Sequence, residues 1–441
     1  MGLPAEEQTL PRLRDADRAG AAAAVRAGDV PLPRLPALTA GGARERAQGR
    51  SVSESAGRVA WDVSDLRPLR IPTAGGRAYG VHFAPLAEAP ALARRVGLEP
   101  GRCLLVTDDH VAALYLDEVS EALEAAGWEP FPLIVPHGET SKSLDAYRLV
   151  LDWALSLGVT RETPVFALGG GVVGDLAGFA AATLLRGLPL VHLPTTVVSQ
   201  VDSALGGKTG VNHPRGKNLV GAFYPPRLVL ADWRALRTLP EAEVRAGCAE
   251  VVKHALVADR PLASRLSADL PALLAIDEAT APALLRDAAN VKATIVAADE
   301  HEAGRRALLN FGHTFGHAIE KVAGYGRVLH GEAVAVGMRA ALHLSASLAA
   351  GETRSPDLAL PSPFSSADGL VRQLGIGTTL DGLAADALQT AMGADKKRDA
   401  GGLRFVVIDG IGEGRVASDV PPEMVEAAWA FARRVGGNGP A

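Results

Sequence analysis

Between residues 78 and 230 the chain alternates short apolar runs with longer amphipathic ones, and that alternation leaves few folds open. "RCLLVTDDH" reads as a short buried strand ending in acids, and Leu116 to Ala126 follows with helical periodicity. "FPLIVPHGE" and then Leu144 to Leu157 repeat the pair, and "TPVFALGGG" is a third strand running into a Gly-rich turn. Repeated βα units of this length imply a parallel sheet covered by helices. After Pro240 the strand signals fade. Segments 241–258, 261–276, 279–298, 305–322 and 331–350 carry the 3.6-residue period of helices. "RSPDLALPSPFSS" is a loop between helices, and "LRFVVIDGIGEGRVA" is a β-hairpin.

Three segments follow: residues 1–75, 76–240 and 241–441. The first is rich in Ala, Arg, Pro and Gly and poor in large apolar residues, so a disordered extension is expected, with one short helix around 15–27. Its opening twenty residues carry acids and no apolar core, unlike a secretory signal. The second is an α/β domain with a Rossmann-like parallel sheet, and the third a mainly α-helical domain. A net charge of -5 without Lys/Arg blocks argues against a nucleic-acid partner. Two cysteines exclude a disulfide scaffold, and no run of 18 apolar residues offers a membrane span. A cytoplasmic location is the simplest expectation.

"LGGGVVGD" fits G-x-G-x-x-G at Gly169, Gly171 and Gly174, after a strand and before an apolar helix. Backbone N–H groups and a helix N-terminus can there face a pyrophosphate. The acid usual about 20 residues on is absent. Asp108, at another strand end, can hold a ribose instead. A tight structural turn is as good a reading of the motif alone. The following run, "LPTTVVSQVDSALGGKTGVNHPRGKN", places Thr195, Thr196, Asp202, Lys208, Lys217 and Asn218 within 24 residues. A polar loop among buried strands is normally a site, and Lys208, Lys217 and nearby Arg186 suit a phosphate or carboxylate.

"LLNFGHTFGHAIE" sets His313 and His317 one helical turn apart, so both point the same way. By spacing they form the histidine pair of a metal site; packing in a core is the alternative. Glu250 and Lys253 stand three apart on another helix face, and "HGEAV" adds His330. Two histidines and a carboxylate make a catalytic zinc site.

Together with "PHGETSKSL", "LRGLPLVHLPTT", "AEVVKHAL", "LHGEAVAVGM" and "DKK", these stretches resemble the 3-dehydroquinate synthase family of sugar-phosphate cyclases over about residues 78–435. The resemblance implies NAD and one divalent metal, Zn2+ or Co2+, in a cleft between two domains of a homodimer. It implies cofactor contacts at Asp108, Glu139, Lys142, Gly170, Gly171, Val172, Asp175, Thr195, Thr196, Lys217 and Thr238. It makes Glu250, His313 and His330 the metal ligands, against the spacing-based pair, and gives His317 to the substrate. Implied substrate contacts are Arg186, Asp202, Lys208, Lys217, Asn218, Lys253, Lys292, Arg306, Asn310, His317 and Lys396. Glu302 is implied in proton transfer, and Lys208, Asn218, Arg306, Asn310 and His317 in catalysis.

The implied substrate is 3-deoxy-D-arabino-heptulosonate 7-phosphate. Phosphate leaves badly beside an unactivated C–H, so transient oxidation by NAD+ at C5 acidifies the C6 proton. Elimination, reduction and an internal aldol closure then give 3-dehydroquinate, with no net redox. Arg306 is expected on the substrate carboxylate. Rival readings are a secondary-metabolism cyclase, such as one using an amino analogue, and a metal-dependent alcohol or glycerol dehydrogenase. Valiolone-type relatives replace the residues matching Asn310 and His317, both present here.

Overall fold

The computed structural model describes residues 66–302, 304–324, 326–377, 380, 382–396 and 403–435. The helix expected around 15–27 lies outside them. Seven strands form one sheet: β1 (Leu69–Pro72), β2 (Ala78–Phe83), β3 (Arg102–Asp108), β4 (Glu129–Val135), β5 (Val165–Gly169), β6 (Leu190–Pro194) and, after a hairpin of β7 (Lys208–His213) and β8 (Gly216–Phe223), β9 (Leu228–Ala231). Their order is β1-β2-β9-β6-β5-β3-β4, antiparallel only between β1 and β2. β5, β6 and β9 are buried along their whole length, which is why they read as unbroken apolar runs. Covering helices are α1 (Ala89–Arg95), α2 (Asp109–Val111) continuing through a wider turn into α3 (Asp117–Ala125), α4 (Leu144–Ser156) and α5 (Gly171–Thr183). The sheet therefore confirms the parallel α/β expectation.

Two expectations are corrected here. Residues before 76 belong to the sheet, because β1 pairs with β2 and buries Leu69 and Ile71. Two alternating apolar residues carry too little pattern to be seen against a Pro- and Gly-rich stretch. The polar run around Lys208 is no loop but the β7–β8 hairpin, with Lys208 opposite Phe223 and Val211 opposite Val220. Its glycines hid the period: a Cβ on Gly221 would lie 2.1 Å from the Thr209 carbonyl oxygen, so close strand contact requires glycine there.

From Glu241 onward the fold is helical: α6 (Glu241–Ala258), α7 (Arg260–Leu274), α8 (Ala281–Ala298), α9 (His313–Ala323), α10 (His330–Ala350), α11 (Phe364–Arg372), α12 (Ala385–Lys396) and, after the hairpin β10 (Phe405–Gly410) and β11 (Glu413–Ala417), α13 (Pro422–Val435). The helix expected over 305–322 is broken. Arg305–Asn310 is a 3-10 turn, and α9 starts anew at His313 because Gly312 adopts a left-handed φ of 79°. Ala289, Ala293 and Val296 of α8 share a core with Val81, Val229 and Ala231 of the sheet, so the helical half is packed onto the β half. α10 is long and apolar enough to cross a membrane, but 83% of its most apolar window is buried inside the fold. It is the central core helix.

Candidate active site

The parallel strands end on one edge, and β3 and β5 lie side by side there although the chain visits β4 between them. Loops after β3 and β5 therefore diverge and leave a crevice, the usual place for a nucleotide in such sheets. At that edge Gly170 caps α5 and, being glycine, makes no side-chain cap hydrogen bond to the first-turn N–H groups. Those donors and the positive end of the helix face outward, as a pyrophosphate requires. A Cβ on Gly170 would lie 3.0 Å from the Thr196 side chain, and one on Gly171 would lie 3.0 Å from Ser203 Oγ. Beside the turn, the buried Thr195 Oγ1 has no hydrogen-bond partner among the described residues. A bare backbone cradle with an orphaned hydroxyl fits a dinucleotide.

Of the other expected cofactor residues, Asp108 ends β3, Glu139 and Lys142 follow β4, Asp175 lies on α5 and Thr238 follows β9. Val172 follows Gly171 in the first turn of α5. Lys142 pairs with Asp175 on α5, while Glu139 accepts from Asn212 Nδ2 at 2.8 Å. Asp108 caps α2 through Val111 N–H, and Thr238 bonds the Tyr115 hydroxyl at 2.8 Å. Asp108 thus has a local structural role that the sequence left unseen.

Three helices converge on Glu250. It lies on α6, fully buried and paired with Lys253, its neighbour one turn on. Its Oε1 lies 3.7 Å from His313 Nε2 and 3.6 Å from His330 Nε2, and accepts no hydrogen bond among the described residues. Close helix contact makes this possible. A Cβ on Gly331 would sit 1.8 Å from the Ala246 carbonyl oxygen of α6, and one on Gly337 2.1 Å from that of Gly312. The remaining ring nitrogens are committed elsewhere: His313 Nδ1 to Phe311 O at 3.2 Å, His330 Nδ1 to Glu320 at 3.3 Å. Both Nε2 lone pairs are thereby left to face Glu250. Burial, reinforced by Lys253, holds the His313 imidazole well below its ordinary range, so it stays neutral, as a ligand must. An orphaned carboxylate oxygen and two aimed Nε2 atoms, all within 4.8 Å, fit a divalent cation.

His317 is exposed, with its ring centroid 5.4 Å from that of His313 and 6.1 Å from that of His330. It stands beside the triad, and with Glu320 and His330 it forms a second, overlapping donor cluster.

Other predicted polar residues gather in pairs, one of them buried. Lys292 Nζ lies 2.7 Å from Asp202 Oδ1, and His254 Nε2 approaches the same oxygen at 3.4 Å. Burial would raise the Asp202 carboxyl, but Lys292 and Lys253 outweigh it and hold it well below the usual carboxylate range. Glu302 contacts Lys208 and accepts from Asn310 Nδ2 at 3.1 Å. Burial works against its charge too, yet these donors keep its carboxyl lowered. Arg186, Asn218 and Glu302 take left-handed φ values of 69°, 54° and 60°, costly for residues with side chains and typical of functional positions.

Other expected residues stand differently. Arg306 is buried, with Nη1 and Nη2 each 3.2 Å from the Gly206 carbonyl oxygen, while its buried Nε has no hydrogen-bond partner among the described residues. Arg186 is exposed after α5, and the Asn218 backbone N–H donates to Asn212 Oδ1 at 2.9 Å. Lys396 ends α12, and its side chain lies outside the described set. Sequence reasoning missed Glu320, His254 and Asn212. Glu320 stands seven residues after His313 and His254 four after Glu250, so helical spacing would have put both on the site's faces. Asn212 carries no periodic signal.

The fold that carries this sheet-edge turn, the two-histidine, one-carboxylate cluster and the buried Lys253 and Lys292 is that of solved sugar-phosphate cyclases. A 2-epi-5-epi-valiolone synthase from Streptomyces hygroscopicus subsp. jinggangensis, solved with NAD+ and Zn2+, superposes with a TM-score of 0.73 at 29% identity, covering 85% of this chain and 99% of its own. A 2-deoxy-scyllo-inosose synthase complexed with carbaglucose-6-phosphate, NAD+ and Co2+ superposes with a TM-score of 0.69 at 27% identity, covering 85% and 100%. The 3-dehydroquinate synthase N-terminal family model matches residues 132–246, and the C-terminal model matches 247–398. The 3-dehydroquinate synthase of Salinibacter ruber is 50% identical over 81% of this chain and 95% of its own length. That of Acidithiobacillus ferrooxidans is 43% identical over 80% and 94%. The chain belongs to the 3-dehydroquinate synthase family. An iron-containing alcohol dehydrogenase from Thermotoga maritima, at 15% identity and a TM-score of 0.57, shares the fold alone.

Proposed function

We propose that the chain converts 3-deoxy-D-arabino-heptulosonate 7-phosphate to 3-dehydroquinate and phosphate in the shikimate pathway. The carrying observation is the convergence of Glu250, His313 and His330 beside buried Lys253 and the Asp202–Lys292 pair. NAD+ and a divalent cation, when bound, supply transient oxidation of a substrate alcohol, which acidifies the neighbouring C–H. Glu250, His313 and His330 would hold the cation. Gly170, Gly171, Val172, Thr195 and Thr196 would cradle the dinucleotide phosphates, with Asp108, Glu139, Lys142, Asp175 and Thr238 around them.

The protein's own groups then divide the work. Lys208, Lys217 and Arg186 supply positive charge for the substrate phosphate. Glu302, kept ionised by Lys208 and Asn310, can accept a proton and return it at the ring steps. Lys253 and Lys292 are buried donors for substrate oxygens, and Asp202 holds Lys292 in place. Asn218, His317 and Lys396 complete the substrate set. Arg306 braces the Gly206 turn through Nη1 and Nη2 and keeps an unmatched Nε donor for a substrate carboxylate.

The reading includes a cytoplasmic homodimer, supported by family likeness; light scattering on the purified chain tests the dimer. Purified protein should release phosphate from the heptulosonate phosphate, lose that activity to a chelator and accumulate no NADH. Steady growth of reduced nicotinamide during turnover would instead identify a dehydrogenase.

A further inference from the structure

We infer that Glu320 positions His330 toward the metal and couples it to Lys217, an inference that rests on the metal-site reading above. Its buried carboxylate meets His330 Nδ1 through Oε2 at 3.3 Å and Lys217 Nζ through Oε1 at 3.1 Å. An imidazole that donates from Nδ1 carries its proton there and keeps a lone pair on Nε2. Nε2 is the atom that faces Glu250 Oε1 at 3.6 Å. Glu320 thus selects the tautomer that can ligate, and it holds the ring plane from the side opposite Glu250. His330 needs such a hold, since its side chain is 38% exposed at the first residue of α10.

Glu320 also lies close enough to His317 and His330 to suggest that it ligates a cation itself. Two observations oppose that. It approaches His330 at Nδ1, whereas Nε2 is directed at Glu250. Its other oxygen is matched by the Lys217 ammonium, which would repel a cation placed there. The same lysine, on β8, stands 3.9 Å from Glu139, which Asn212 of β7 also holds. One carboxylate on α9 therefore joins the metal helices to the hairpin and to the loop after β4. Glu320 is a positioning residue: it touches a ligand and a substrate-binding cation, and no reacting atom.

The test uses the full chain stripped of metal. Zinc affinity is measured by chelator competition, metal-free melting by circular dichroism, and the His330 tautomer by NMR of 15N-histidine-labelled protein. The His330 signal is assigned by its loss in His330→Ala. Glu320→Gln should weaken zinc binding by about 10–100-fold and mix the His330 tautomers, with the metal-free melting temperature within a few degrees. Glu320→Asp, which keeps the charge, should recover part of that affinity. Wild-type zinc affinity with an unchanged tautomer in folded Glu320→Gln would overturn the inference. Failure of both variants to fold would overturn it in favour of a purely structural carboxylate. Zinc affinity untouched by His330→Ala would overturn the metal-site reading itself, and the inference with it.

Discussion

His330 Nε2 lies 3.6 Å from Glu250 Oε1, two side chains brought together from α10 and α6 although 80 positions (330 − 250) separate them in the sequence. His330→Ala should therefore remove metal and activity together. His317→Ala should keep the metal and lose rate or substrate affinity, since His317 is exposed beside the triad. Metal analysis of both purified variants decides the point; loss of zinc from the His317 variant would restore the spacing-based pair as ligands.

Gly331→Ala should act on the site without touching a ligand. The new methyl would meet the Ala246 carbonyl oxygen at 1.8 Å, so α10 must move off α6. Overpacking of this kind costs about 1–3 kcal/mol or more. Lower melting temperature accompanied by weaker zinc binding is expected, and unchanged zinc affinity would show that the helix spacing does not set the centre.

Glu302→Gln should lower kcat by about 10²-fold with little change in KM, because the amide cannot take a proton and Lys208 remains in place. Steady-state kinetics separate the two. A purely elevated KM would move Glu302 from proton transfer to binding.

Ile71→Ala should destabilise the protein by about 2–5 kcal/mol, since Ile71 is fully buried in β1. A chain beginning at residue 76 would lose that strand entirely and should melt lower still. Urea unfolding of the two proteins measures both effects; equal stability with the full chain would remove β1 from the fold's essential core.

Burial holds the His192 imidazole down to about 4, against an ordinary 6.5. Between those values the unfolded chain binds the proton and the folded chain does not, so stability rises with pH across the window and is flat above it. The full effect is roughly 3 kcal/mol. His192→Leu should make the melting temperature less steep between pH 4 and 6.5, the remaining slope belonging to other buried imidazoles such as His313 and His254; an unchanged slope would assign the acid sensitivity wholly to those groups.

The run of local signals in the sequence was enough for the strands β3, β4 and β5, the helices after Pro240 and the Gly-rich turn, because each is encoded by a period or composition within a dozen residues. The same locality explains what was missed. β1 is too short to show a period, the hairpin around Lys208 is masked by glycines, and Gly312 breaks a helix that apolar spacing alone would continue. Spacing placed His313 and His317 on one face, but a helix face does not say what stands opposite it. That was decided by tertiary structure: glycines at 331 and 337 let α6, α9 and α10 approach within backbone contact, and only that approach sets Glu250 between His313 and His330 and hands the far side of His330 to Glu320.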